Sequence, residues 1–423
     1  MESQYLPQEW PGIHYLGQEE IDAVTRVLKS QSLFRYYGPD PQHETEKFEA
    51  EFAGFTGHKY CLAVSSGTAA LQVALAALGI GVGDEVIVPG YFWVSTVGAV
   101  VRSGAIPVLA DVDSSFCMDP ESLNLKISSR TKAVIFVPMG GVIGKIEEVA
   151  AVCKEKGIPL MEDCAQAVGA TRFGKQSGSF GDIAVYSFQV NKNMTAGEGG
   201  AVATNDEVLY KKSIAAHDLG VPKDNQGNMI MDDPQYQLWG IGVRMSEVTA
   251  AILRVQLKKL PSIVASMRGF KYEIKKLLAG LPGVSTRTVA DPDGDSGGFL
   301  KIIFDDPARS LQFRQALLDN GIKVRQAGFY PIHMSDWGLH IYYKIPGLAN
   351  KRSINGHHSV WELQENSFAR EYTYQKGLLP QLDSYVERTV LFCIASKLEQ
   401  HHKDLIINAF KKAIEELESI AYG

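Results

Sequence analysis

Between about residues 58 and 205 the chain alternates short, nearly continuous apolar runs with stretches of helical pattern. Strand-like runs lie at 59–65 (KYCLAVS), 85–89 (EVIVP), 106–112 (IPVLADV), 132–138 (KAVIFVP), 158–162 (IPLME) and 183–188 (IAVYSF). Helical segments fall at 68–78, 94–102 and 146–156. A strand that is apolar at successive positions has two faces to hide, and crossover helices on both sides of a sheet hide them. The alternation therefore predicts an α/β fold around a mostly parallel sheet.

The flanks follow other patterns. A helix over 17–30 closes an entry segment, 1–30. A long helix is expected over 246–278, with Pro261 marking a kink or break. Beyond the turn-rich run at 292–298, the strand 299–304, a helix at 310–318, a strand after Gly321 and an amphipathic helix at 401–420 suggest a smaller α+β unit. The resulting plan is an N-terminal segment (1–30) packing with the small domain, a large domain (31–270) and a small C-terminal domain (271–423). With 423 residues, 45% of them hydrophobic and 21% charged, there is material for a large core, and a largely disordered chain is excluded.

A formal charge of −6 provides no global basic field for nucleic acid. Cys61, Cys117, Cys153, Cys164 and Cys393 are scattered, odd in number and without a CxxC pair. Reduced, buried thiols in a cytoplasmic protein are expected, not a disulfide framework or a metal site. No signal peptide and no membrane-spanning run is read. The sequence contains no GxxxxGK[ST] phosphate loop and no HExxH motif, and the GxG at 79–84 precedes a strand, the wrong side for a dinucleotide fingerprint.

The chemistry-bearing residues sit where strands end. Ser65-Ser66-Gly67-Thr68 joins a strand to a helix; it is either an ordinary helix start or a set of backbone N–H groups facing a phosphate. Trp93 follows the strand 85–89 and is either core or a plate for a planar ring. Asp163 ends the strand 158–162, as a helix cap or a loop ion pair, or as the partner of a cationic ligand atom. Lys192, in SFQVNKNMTAGEGG, is either a solvated loop lysine or one whose lowered pKa permits Schiff-base chemistry. A phosphate cradle, an aromatic plate, an acid and a lysine, all at strand ends of one sheet, are what pyridoxal phosphate requires.

The segments SSGTAALQVALAALGIGVGDEVIVP (65–89), GAIPVLADVD (104–113), MEDCAQAVGA (161–170), GDIAVYSF (181–188) and NKNMTAGEGGAVATND (191–206) resemble the DegT/DnrJ/EryC1/StrS sugar aminotransferases over roughly residues 12–415. The resemblance implies a fold-type I pyridoxal-phosphate enzyme with a mostly parallel, mixed seven-stranded sheet and a smaller α+β C-terminal domain. It implies Lys192 as the Schiff-base lysine and Asp163 facing the pyridine nitrogen. Trp93 would stack on the ring, Gly67, Thr68 and Ser187 would hold the phosphate, and Gln166 would touch the ring hydroxyl. It further implies a homodimer that transfers an amino group from glutamate or glutamine to a keto or aldehyde sugar.

Phe34-Arg-Tyr-Tyr, the segment 291–300 and the surroundings of Trp337 look most similar to enzymes of the 8-amino-3,8-dideoxy-octulosonate type; nucleotide-linked keto-hexoses and keto-cyclitols are the rivals. Arg35, Arg244 and Arg325 are the cations open to an anionic substrate, with structural ion pairs as the competing reading. The chain departs from the family pattern at Gly242, where asparagine is usual in the segment that reaches the neighbouring subunit's phosphate. Pro138 and Leu219 stand where histidines are common, with His217 close to the latter. These departures are expected to alter the substrate pocket. A pyridoxal-phosphate dehydratase or decarboxylase, and a non-catalytic cofactor-binding regulator, are the alternative readings.

Overall fold

A computed structural model of the protein describes residues 6–223, 228–323 and 330–421. Its large sheet takes strands β1 (Tyr60–Val64), β2 (Glu85–Pro89), β3 (Ile106–Ala110), β4 (Thr131–Phe136), β5 (Leu160–Asp163), β8 (Ile183–Ser187) and β9 (Gly200–Thr204). A short hairpin, β6 (Thr171–Arg172) and β7 (Lys175–Gln176), stands apart. The order across the 7-stranded sheet is β1-β9-β8-β5-β4-β2-β3. Only β9 runs against the others: it pairs antiparallel with β1 and β8, and the remaining pairs are parallel. Every expected strand of this region is present. The strand β9 was hidden in the sequence, because Gly-Ala-Val-Ala-Thr reads as the continuation of a glycine-rich turn.

Each sheet face is covered as the apolar runs require. One core gathers Leu62, Val73, Val88, Ile106 and Val185; another packs Phe48, Phe52, Tyr186 and Phe188 on the opposite side. The helix Gln18–Ser30 lies on the long helix Glu247–Leu277, with Ala23 and Val27 meeting Ala251. That long helix runs unbroken through Pro261. Pro261 is exposed, so the helix loses one backbone hydrogen bond on its wet side, while Leu260, Ile263 and Val264 beside it stay buried. The expected break is absent because the buried apolar stripe continues across it.

A second sheet, β10 (Val284–Thr286), β11 (Phe299–Phe304), β13 (Thr389–Cys393) and β12 (Ile332–His333) in that order, is antiparallel. The helices Pro307–Asp319 and Gln400–Ala421 pack on it. Leu6 from the N-terminal segment sits in the same core as Leu417. The chain between β12 and β13 leaves this unit: Tyr342, Trp361, Tyr374 and Val386 are buried in the large-sheet core with Leu62. A boundary at 271 assigns that excursion to the small domain, although its side chains pack on the large one. The strand expected after Gly321 is not formed by Ile322 and Lys323, and its continuation, with Arg325, lies outside the described residues.

All five cysteines are free and buried. Among the described residues no helix is long and apolar enough to cross a membrane, and no group of three or more His, Cys, Asp or Glu side chains is placed to hold a metal ion.

Candidate active site

The parallel strands end together, and a cavity of about 340 Å³ opens at those ends. Gly67, Thr68, Trp93, Asp163, Gln166, Ser187 and Lys192 all line it. Residues spread over much of the large domain thus meet in one place because each directly follows, or ends, a strand of one sheet.

The helix Gly67–Ala77 begins at the cavity with Ser66 as its cap, accepting the Ala69 N–H at 3.1 Å. The N–H groups of its first turn have no intrahelical acceptor and carry the positive end of the helix dipole. A Cβ at position 67 would lie 2.6 Å from Cβ and 3.0 Å from Oγ of Ser187. Glycine therefore lets the helix start approach the end of β8, so that its free N–H groups and Ser187 line the cavity side by side. Thr68 Oγ1 donates to Ser95 Oγ at 2.9 Å, tying this helix to the next. Gly67→Ala is expected to leave the far-ultraviolet circular dichroism unchanged while weakening cofactor retention at least about tenfold, because the added Cβ pushes Ser187 away from the helix start. Equilibrium dialysis of the bound cofactor measures this.

Asp163 is buried at the end of β5. Thr96 Oγ1 donates to its Oδ2 at 2.7 Å and the Ala165 N–H to its Oδ1 at 3.2 Å. Burial raises the carboxyl above the usual aspartate range, and those two bonds and Lys192 pull it back. Its neighbour Glu162 points the other way, as strand alternation demands. There it accepts the N–H groups of Gly178, Phe180 and Gly181 at 2.7–2.8 Å, so it shapes a turn and does not reach the cavity.

Lys192 sits on the connection from β8 to β9. Phe188 N–H donates to Gly199 O at 2.8 Å and Val190 N–H to Gly197 O at 3.1 Å, closing the loop. Gly197 has φ +83° and Gly199 φ +152°, angles that side-chain-bearing residues rarely adopt, which explains the first two glycines of GEGG; at the third, Gly200, a Cβ would run into the Ser66 backbone. The Gly12 N–H donates to Lys192 O at 3.1 Å, so the N-terminal segment pins the lysine's backbone. Burial lowers the ammonium below the ordinary lysine range, against the pull of Asp163 and Glu198.

Gln166 Oε1 accepts the Gly140 N–H at 3.1 Å, leaving its amide hydrogens toward the cavity. Trp93 stands partly exposed at the rim, with its ring centroid 4.8 Å from that of His340. Phe299 and Trp337, from segments that the resemblance tied to the substrate, also line the cavity, as do Ser95 and His340, which were not singled out from the sequence. Ser95 follows Trp93 closely, and His340 comes from the excursion behind the small sheet, where no pattern marks a site.

The family departures are placed elsewhere. Pro138, Leu219, His217 and Gly242 do not line the cavity formed by this chain. Gly242 has φ +67° with open space where a Cβ would stand. Asparagine and glycine are the residues that tolerate this backbone region, so the exchange at 242 costs the fold little. Arg35 is spent on Glu49, at 2.8 and 3.1 Å, and Arg244 on Asp218.

The fold with this site defines a class, the fold-type I aminotransferases. The chain superposes with a TM-score of 0.79 on the aminotransferase from Psychrobacter cryohalolentis, which is 27% identical, covering 98% of this chain and 100% of that one. The sequence pattern of the DegT/DnrJ/EryC1/StrS aminotransferase family matches residues 14–343, and the chain belongs to that family. Relatives include GDP-perosamine synthase of Vibrio cholerae, 38% identical over 74% of this chain and 83% of that protein. Another is L-glutamine:2-deoxy-scyllo-inosose aminotransferase of Streptoalloteichus tenebrarius, 36% identical over 66% of this chain and 69% of that protein. The chain is an aminotransferase.

Proposed function

We propose that the protein is a pyridoxal-phosphate aminotransferase that moves an amino group from glutamine or glutamate to the carbonyl of a sugar or cyclitol. The observation that carries this reading is the convergence of Lys192, Asp163, Trp93, Ser187 and the Gly67–Thr68 helix start on one cavity. The site fits the cofactor: the free N–H groups of the helix start, which a residue without a Cβ lets close against Ser187, suit a phosphate, and a buried carboxylate suits a protonated ring nitrogen.

Pyridoxal phosphate supplies an electron sink for the negative charge that develops at the donor's Cα. The chain supplies the rest. The N–H groups of Gly67 and Thr68, with the Ser187 hydroxyl, hold the phosphate. Asp163 holds a proton on the ring nitrogen, itself steadied by Thr96 and Ala165. Trp93 covers the ring, and Gln166 donates to the ring hydroxyl. Lys192 Nζ takes the proton from the donor's Cα, a task for which a lysine of lowered pKa is suited.

The relatives' names support a sugar or cyclitol acceptor, and glutamine as a donor has the same support. The eight-carbon octulosonate reading rests on residues 34–37, 291–300 and Trp337 alone. We also propose a homodimer. Trp239 is 96% exposed, and Leu219 and Ile241 beside it are exposed as well, an apolar surface that a second copy would cover. Light scattering is expected to give twice the 46.4 kDa chain mass; an active species of single-chain mass would overturn it.

The test of the reaction is a visible spectrum of the purified protein, repeated with glutamine and with glutamate. Conversion of the cofactor's aldehyde band to its amine band is expected with at least one donor. A panel of 2-deoxy-scyllo-inosose, nucleotide-linked keto-hexoses and an eight-carbon keto-sugar acid should then reverse it. A cofactor band that no donor converts would replace this reading with a dehydratase, a decarboxylase or a non-catalytic regulator.

A further inference from the structure

His340 lies in the cavity wall and takes no part in the chemistry assigned above. It comes from the excursion between β12 and β13, on a turn Gly338–His340 that brings it beside Lys192 and Trp93. The ring is clamped on two sides. Its centroid is 4.8 Å from that of Trp93 and 4.5 Å from that of Trp337. Its Nδ1 lies 3.2 Å from the Trp337 carbonyl oxygen. A carbonyl only accepts, so Nδ1 carries the hydrogen. Nε2 then holds a lone pair, and no described residue makes a hydrogen bond to it.

We infer that His340 Nε2 is a fixed hydrogen-bond acceptor that reads a hydroxyl of the amino-accepting ketone. This rests on the aminotransferase reading and narrows its substrate class. An acceptor-only nitrogen has nothing to offer a carboxylate, a phosphate or a bare carbonyl. It selects an O–H donor, and therefore a polyhydroxylated ketone over an alkyl one. The ring stays an acceptor at any working pH. Burial first, and then the nearby Lys192 and Lys301, lower its pKa to about 3. The groups packed around it thus oppose a second proton; only the Trp337 carbonyl favours one.

His340→Phe removes the acceptor and keeps a ring between Trp93 and Trp337. The Trp337 carbonyl retains the backbone N–H of residue 340, which already donates to it at 3.1 Å. His340→Gln restores an acceptor oxygen.

The test uses the cofactor-loaded full chain, labelled with 15N at histidine, with His340→Phe assigning the resonance. The probes are 2-deoxy-scyllo-inosose, a ring ketone bearing hydroxyls, and cyclohexanone, the same ring without them. At pH 7 Nε2 is expected to be unprotonated, and to shift with the hydroxylated ketone and not with cyclohexanone. The rate at which 2-deoxy-scyllo-inosose discharges the amine form of the cofactor should fall about tenfold in His340→Phe, the worth of one such bond, and recover in part in His340→Gln. A protonated Nε2, equal shifts with both ketones, or equal rates in wild type and His340→Phe would overturn the inference. If the wild type does not turn over 2-deoxy-scyllo-inosose, the cyclitol acceptor of the proposed function fails, and the Nε2 protonation and shift alone decide the role of His340.

Discussion

Lys192→Ala is expected to lower turnover by at least about 10⁴-fold, the upper range for a lost general acid–base group, because in the proposed reaction the same residue also supplies the reactive amine. No second lysine lines the cavity. Lys301, a buried lysine outside the cavity lining, faces the rings of Tyr91 and Phe116, each centroid 5.0 Å from its Nζ. Lys192→Arg keeps the charge and loses the nucleophile, so it should be as inactive as Lys192→Ala. Steady-state rates with the preferred donor test the pair. Both variants should melt within a few degrees of wild type, because the loop is closed by Phe188, Val190 and Gly12 through backbone groups that neither substitution touches. Substantial activity in either would remove Lys192 from the reaction.

Asp163→Ala is expected to cost about 10³-fold in turnover, the scale for a preorganised charge placed where charge develops. The informative partner is Asp163→Asn. An amide oxygen still accepts the Ala165 N–H, and the Thr96 hydroxyl turns to accept from the amide, so shape and hydrogen bonding survive and only the negative charge is lost. The two variants should be equally slow if the charge holds a proton on the cofactor's ring nitrogen. Recovery of wild-type rates by Asp163→Asn would reduce Asp163 to a structural residue. Neither variant should destabilise the cofactor-free protein much, since burial already disfavours this carboxylate.

The large sheet was legible because its strands are apolar on both faces and separated by helices, a pattern with few folding solutions. The site residues of that sheet were legible for the same reason: ligands gather at strand ends, and Asp163, Trp93, Gly67 and Lys192 stand there in the sequence itself. What stayed hidden has a common cause. The strand β9 is five small residues after glycines, with no alternation to detect. Thr96 looks like one more helix residue until Asp163 is folded against it. His340 lies in a stretch of short turns that has no period, and its place in the cavity is decided by Tyr342 and Leu348 anchoring that stretch in the large-sheet core. A long-range docking of this kind has no local signature.

The sharing of cores between distant parts of the chain bears on how the protein is made. Leu62 emerges from a ribosome long before Val386, and the two belong to one core; Leu6 waits still longer for Leu417. The face of the large sheet that packs on the excursion is completed only after Val386 has been made, whereas the opposite face, with Phe48, Phe52 and Val264, needs nothing beyond the long helix. Until then the apolar side chains of that one face are open to other chains.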